Sequence, residues 1–206
     1  RLVARLDMTD IGTGTYTILT QIVAETLSMP ASQVLVQLGD SRFPETAGSG
    51  GSFGASSSGS ALLDACAKLK SALSERLTES GVSANAFAIK DGRVLANGKR
   101  IELADLIGAE GLSADGAVDP DNHAKGQADY SYGVQFAEVE VDADTGEIRV
   151  RRLLGVFDAG RILNRKTARS QLMGGMIFGI GGALLEESLM DDRFGSFMNR
   201  DFAEYH

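Results

Sequence analysis

The residues of this 206-residue chain best suited to hold a ligand lie in two glycine-rich turns. Gly12-Thr13-Gly14-Thr15 separates an alternating apolar segment from a helical one. Glycines there can adopt left-handed backbone and turn N–H groups toward an anion or the polar edge of a ring. A tight turn without a ligand is the plainer alternative. From Gly48 to Ser60, 11 of 13 residues are Gly or Ser, interrupted by Phe53 and Ala55. A helical pattern follows at once, so the tract reads as a loop feeding a helix N-terminus, an arrangement that holds phosphates. A flexible linker is the alternative for this composition. Gln127, Gln135 and Gln171 add neutral amides, which hydrogen-bond heterocycles but do no acid–base work.

Other chemistries find little support. A Gly-x-Gly-x-x-Gly fingerprint fails because Thr17 stands where the third glycine belongs, and Pro30-Ala31-Ser32-Gln33 replaces the expected acid. No Gly-Lys-Ser/Thr occurs. His123 lies in a loop and His206 at the last position, so no Ser–His–acid set can be argued. Those two histidines and the single Cys66 make no zinc set, and Cys66 has no disulfide partner. Asp10, Asp40 and Asp158 each follow a strand, either as a carboxylate cluster or, the favoured reading, as caps of turns and helices.

Hydrophobic spacing places these residues on elements. Residues 1–6 read as a strand. Ile18, Leu19, Ile22, Val23 and Leu27 predict a helix from about Thr15 to Leu27, ended by Met29-Pro30. Val34, Val36 and Leu38 predict a second strand, and Leu62, Ala65, Leu69, Leu73 and Leu77 a second helix. Asp91-Gly92 and Asn97-Gly98 mark a small antiparallel meander. Residues 109–129 are loop-like. Tyr132 to Val141 and Glu147 to Phe157 predict a hairpin, and Arg165 to Glu187 a glycine-rich last helix. Its uncharged run, Ser170 to Leu185, is shorter than the roughly 20 residues a span needs. A buried helix whose glycines admit another backbone is therefore the expectation. The fold class that follows is α+β, with mixed or antiparallel sheets and packed helices. A possible subdivision is 1–108, the strand–helix part with the Gly/Ser loop and meander, and 125–206, the hairpin with the glycine-rich helix.

Composition agrees with an ordinary globular protein, with 43% apolar and 23% charged residues. The 28 acids and 20 bases give a net charge of -8, which repels a nucleic-acid backbone. A chain that starts at Arg1 with a strand under way, and ends without a cap or polar tail, is expected to be a piece of a longer polypeptide.

Three segments then carry a family resemblance. Asp10-Ile11-Gly12-Thr13-Gly14-Thr15, with Gln21-Ile22-Val23-Ala24-Glu25 beyond it, resembles the first cofactor segment of the molybdenum-binding subunit of the xanthine dehydrogenase/aldehyde oxidase family. Ala47-Gly48-Ser49-Gly50-Gly51-Ser52 resembles the second. Asp158 to Asn164, Gln171 to Gly175 and Gly179 to Glu187 together resemble a third. Order and spacing agree over nearly the whole chain, and bacterial aldehyde oxidoreductases and isoquinoline oxidoreductase-like proteins are most similar in pattern.

The resemblance implies part of a molybdopterin-binding domain in a large subunit that hydroxylates aldehydes or N-heterocycles with water as the oxygen source. Its molybdenum is held by the pterin dithiolene rather than by side chains, so no protein metal ligand is expected. The cofactor is expected in its cytosine dinucleotide form. Gly12, Thr13, Gly14, Thr15, Gly50, Gly51, Ser52, Asn164 and Gln171 are the implied cofactor contacts, with Gln171 toward the metal end. Iron–sulfur clusters and FAD are expected only on partner subunits. The resemblance is compatible with either bacterial cytoplasm or periplasm. The family's catalytic glutamate, in a Gly-x-Gly-Glu segment, has no match. Gly146-Glu147 falls in a hairpin turn and Glu186-Glu187 at a helix end. No catalytic residue is therefore assigned, this piece alone is expected to be inactive, and a non-catalytic cofactor-binding or structural module is the alternative.

Overall fold

The computed structural model describes residues 1–82, 87–118 and 130–204. The chain divides into two units, Arg1–Gln127 and Ala128–His206, and each is described by itself. His123, Gln127, His206 and the proposed boundary at residue 125 lie outside the described residues.

The first unit opens with β1 (Leu2–Leu6), α1 (Thr15–Leu27) and β2 (Val34–Leu38). β1 and β2 pair in parallel, Leu2 opposite Val34 through Leu6 opposite Leu38. Alternation buries Ala4, Leu6, Val34 and Val36 together on one face. Leu19, Val23 and Leu27 recur at four-residue spacing along α1 and are fully buried. Removing a leucine of this kind from water is worth roughly 1.5–3 kcal/mol. The helix stops where Ser28 turns left-handed, with Ser28 N–H donating to Glu25 O and Met29 N–H to Ala24 O. That is a Schellman ending, made here without glycine.

α2 (Gly54–Glu79) packs against α1 and buries Cys66, Leu73 and Leu77. Its start corrects the sequence expectation, because half of the Gly/Ser tract is helix rather than loop. Low intrinsic propensity is overridden by packing. A Cβ on Gly59 would lie 3.0 Å from Ile22 Cδ1, and one on Gly54 would lie 3.2 Å from Met8 Cε. Small residues are what allow α2 to approach α1 and the end of β1. Ser56 and Ser57 donate their hydroxyls to Phe53 O, at 2.9 and 2.8 Å, which ties the first turn.

The expected meander forms as β3 (Phe87–Lys90), β4 (Arg93–Ala96) and β5 (Lys99–Glu102). Both its turns have positive φ at both central residues, 50° and 76° at Asp91-Gly92 and 48° and 75° at Asn97-Gly98. This type I′ geometry is what Asp-Gly and Asn-Gly favour. Ile89, Val94 and Ala96 join the core, as does Leu106 from the short α3 (Leu103–Ile107), which periodicity missed.

The second unit is the hairpin of β6 (Tyr132–Val141) and β7 (Ile148–Asp158), then α4 (Arg165–Leu184) and a small hairpin, β8 (Met190–Asp191) with β9 (Ser196–Phe197). The β6–β7 register shifts between Glu138 and Val139, with Glu138 opposite Arg152 and Val139 opposite Val150. The hairpin was expected; β8 and β9 were not. α4 stops three residues short of the predicted end. It packs on β7, where the bare backbone of Gly155 makes room; a Cβ there would come within 2.7 Å of Met176 Sδ. Within this chain most of α4 is exposed. Gly181 is the sole buried residue of the described unit, and Gly174, Gly175, Gly179 and Gly182 face nothing within 4 Å.

Candidate functional site

Both glycine turns belong to the first unit, and the parallel pairing of β1 with β2 puts them at one edge. Each turn leaves the C-terminal end of one of these strands and leads into a helix. In open α/β arrangements ligands bind beyond those ends. The first turn is shaped by Asp10, whose Oδ1 accepts from Gly12 N at 2.9 Å. Gly12 and Gly14 take φ of 91° and 92°, backbone that a Cβ would strain, and a Cβ on Gly12 would meet nothing within 4 Å. Gly14 is the N-cap of α1, so no side chain caps the first N–H groups of that helix. Thr13 Oγ1 lies 3.4 Å from Thr15 Oγ1, and Thr15 is itself buried.

Two residues that sequence reasoning missed hold the second turn against the first. Asp7 Oδ1 accepts from both Thr46 N (2.8 Å) and Thr46 Oγ1 (2.7 Å), while Asp7 N donates to Pro44 O. Ser49 Oγ donates to Thr9 O, a direct tie between the two loops. The signal for Asp7 was weak: a lone carboxylate just after a strand, paired with a threonine 39 positions away. Between these ties and α2, Gly48, Gly51 and Ser52 all have positive φ. The Phe53 ring lies on the turn; Cβ atoms on Gly50 and Gly51 would stand 3.8 and 3.1 Å from it. α2, like α1, has no side-chain N-cap. Four residues into α2 from Gly54, Ser58 is 2% exposed and its hydroxyl has no hydrogen-bond partner. A buried orphan of that kind costs about 1–3 kcal/mol.

The edge therefore collects backbone N–H groups, hydroxyls and open glycine surface, with a single acid–base pair on its rim. Asp40 binds Arg42 through both carboxylate oxygens, the shortest contact being 2.6 Å. The Arg42 guanidinium holds the Asp40 carboxyl below its ordinary range, helped by Arg42 N–H. Such an edge can hold a polar, phosphate-bearing molecule; it carries no nucleophile–base pair.

Of the predicted contacts, Gly12 to Thr15 and Gly50 to Ser52 thus come together in one unit. Asn164 and Gln171 belong to the other. Asn164 N-caps α4, its Oδ1 accepting from Lys166 N and Thr167 N at 3.0 Å each. Gln171 lies exposed on the second turn of α4. Asp10, Asp40 and Asp158 each accept from the backbone N–H two residues on, so all three close turns. Among the described residues no group of three or more His, Cys, Asp or Glu side chains could hold a metal ion. No described helix is long and apolar enough to cross a membrane.

A family model described as the molybdopterin cofactor-binding domain matches residues 2–206. The chain is 44% identical over 199 residues to the aldehyde oxidoreductase molybdenum-binding subunit PaoC of Escherichia coli K12, covering 97% of this chain and 27% of that protein. It is 28% identical over 226 residues to the 6-hydroxypseudooxynicotine dehydrogenase complex subunit gamma of Paenarthrobacter nicotinovorans, covering all of this chain and 27% of that one. Among solved structures, quinoline 2-oxidoreductase from Pseudomonas putida 86 superposes with a TM-score of 0.85 at 27% identity, over 98% of this chain and 27% of that one. The Cu,Mo-CO dehydrogenase shares the fold, with a TM-score of 0.84 at 24% identity over 99% of this chain and 27% of that one. The chain thus spans about 27% of the length of these relatives.

Proposed function

Because this chain belongs to the molybdopterin cofactor-binding domain family, we propose that it forms part of the cofactor site of a molybdenum hydroxylase acting on aldehydes or N-heterocycles. The observation that carries the reading is the tied pair of glycine turns, Gly12–Thr15 and Gly48–Ser52, at the ends of the two parallel strands. The residues present suit such a group. Gly12 leaves open backbone where a Cβ would otherwise stand, and Ser58 keeps an orphaned hydroxyl. The donor set holds hydroxyls and N–H groups rather than metal ligands, which agrees with a metal carried by its own pterin.

When bound, this group supplies two-electron oxidation with oxygen taken from water. Gly12, Thr13, Gly14 and Thr15 bind through backbone N–H and hydroxyl, where two uncapped helix starts favour phosphate. Gly50, Gly51 and Ser52 line the second turn of that contact. Asn164 and Gln171 would also hold the cofactor in the full subunit, Gln171 through its amide toward the metal end. No residue of this chain is assigned to proton abstraction. The cytosine dinucleotide form is the expected one. Iron–sulfur and flavin subunits are the expected electron acceptors, a reading supported by relatives that are themselves named as subunits of complexes.

The test uses the full-length subunit in its complex. Wild type should contain molybdenum, pterin and cytidine nucleotide in equal amounts. It should oxidise an aldehyde or N-heterocycle with incorporation of labelled oxygen from water. Gln171→Ala should lose turnover and molybdenum. Wild-type levels of both in that variant would remove Gln171 from the site, and a wild-type subunit free of pterin would end the reading.

A further inference from the structure

We propose that Phe53 is the stacking platform of this cofactor site, its ring holding a planar heteroaromatic ring of the bound pterin dinucleotide. This rests on the function proposed above.

The backbone of Phe53 is held from both sides. Phe53 N donates to Gly50 O at 3.2 Å, and Phe53 O accepts from Ser56 Oγ, Ser57 Oγ and Ser57 N. These four bonds hold the backbone from which the side chain leaves. One side of the ring meets the turn itself: Cδ1 and Cε1 would lie 3.1 and 3.2 Å from a Cβ on Gly51, and Cε1 and Cζ 3.8 Å from one on Gly50. Glycine at both positions is what leaves room for this edge of the ring against the backbone.

The remaining surface of the ring is open, and Phe53 is 40% exposed. A phenylalanine whose purpose is core packing goes inward, as Leu19, Val23 and Leu27 of the neighbouring α1 do at 0–1% exposure. Phe53 instead stays half in solvent between the Gly48–Ser52 turn and the start of α2, where the polar groups of the edge converge. Polar N–H groups and hydroxyls fix phosphates and ring edges, whereas a planar ring needs a flat apolar surface. Tyr16 is exposed just after the first turn, and Phe53 supplies such a surface just after the second. Stacking a base on an aromatic side chain is worth about 1–3 kcal/mol by alanine substitution, which corresponds to about 5–150-fold in affinity.

The experiment compares Phe53→Ala, Phe53→Leu, Phe53→Tyr and Phe53→Trp in the full-length subunit within its complex. It measures molybdenum, pterin fluorescence after oxidation, released nucleotide, and the rate of cofactor loss on dilution. Thermal unfolding of cofactor-free subunit reports on the fold. Phe53→Ala and Phe53→Leu should lose cofactor about tenfold faster than wild type, whereas Phe53→Tyr and Phe53→Trp should keep it. Leucine covers Gly50 and Gly51 with similar apolar bulk but has no planar face, so it separates stacking from plugging. If Phe53→Leu retains cofactor like wild type with unchanged unfolding, Phe53 is a plug and the inference is overturned. It is overturned equally if Phe53→Ala retains cofactor. Either result leaves the proposed function standing, because wild type is loaded; a wild-type subunit without pterin would instead fail that function itself.

Discussion

The two units treat apolar surface in opposite ways. In residues 1–127 the apolar side chains of β1, β2, α1, α2 and the meander converge, and every residue of the buried hydrophobic cluster lies between Ala4 and Leu106. In residues 128–206 secondary structure is just as regular, yet Phe136, Leu154, Val156, Ile177 and Phe178 remain exposed, the last at 80%. Hydrogen-bonded ladders and helices therefore do not by themselves indicate an independently stable unit. Two two-stranded hairpins with one helix have too few facing surfaces to remove their apolar side chains from water. The family relationship supplies the physical reason, since the chain corresponds to about 27% of the length of its relatives.

The largest test separates the units. Residues 1–127 expressed alone should unfold cooperatively in urea, while residues 128–206 alone should show no cooperative transition and should self-associate, as exposed apolar patches promote. A monomeric, cooperatively folding second unit would break the comparison. Next in size are core truncations. Leu77→Ala in the first unit should cost about 2–5 kcal/mol by urea denaturation. Leu154→Ala, at an exposed position, should change stability by less than about 0.5 kcal/mol.

Glycines sharpen the same contrast. Gly116 lies directly across α2; a Cβ there would fall 1.9 Å from Ala61 O and 2.5 Å from Ala65 N. The segment is held by Ala117 N donating to Asp64 Oδ2 (3.0 Å) and Lys68 Nζ donating to Asp115 O (3.1 Å). Gly116→Ala should therefore release the segment, seen as faster hydrogen exchange at 115–117. Gly175→Ala on α4 meets open space and should raise helix stability by about 0.5–1 kcal/mol. Equal effects at the two glycines would remove the contrast.

What the sequence disclosed follows the same division. α1 was legible to the residue because its buried face repeats every four positions, and the meander because Asp-Gly and Asn-Gly state their turn type. The beginning of α2 was not. Gly54 and Gly59 look like loop residues, and their reason for being in a helix lies in Met8 and Ile22, across the packing. The two glycine turns were legible as turns; their joining was not, since the Asp7–Thr46 and Ser49–Thr9 bonds span about 40 positions with no periodic trace. Asn164 read as a ligand-contacting amide by resemblance alone, and its helix-capping bonds appear only in three dimensions. The exposure of α4 agrees with a chain that spans about 27% of its relatives' length, where an apolar helix loses the surface it would pack on.

The smallest effect concerns two aspartates held below their ordinary range for different reasons. Asp64, in the first unit, is lowered mainly by its hydrogen bond from Lys68, then by Ala117 N–H and by the Lys68 charge. Asp142, in the hairpin loop of the second, is lowered mainly by Thr145 N–H, then by the Thr145 hydroxyl and Asp144 N–H. A carboxylate whose folded pKa is depressed stabilises its structure above the unfolded value, and that contribution disappears as pH falls through the folded one. Both contacts should therefore persist at neutral pH and weaken on acidification. Their salt dependence should differ, because an exposed ion pair is screened while a carboxylate accepting local backbone N–H groups is much less so. Hydrogen exchange of the 115–117 and 142–147 segments, followed across the acid range at low and high salt in the full chain, reads this directly. High salt should bring the loss at 115–117 to higher pH and leave that at 142–147 in place. Asp64→Ala should open 115–117 at every pH without touching 142–147. A common salt shift at both segments would show that the two carboxylates are held in the same way.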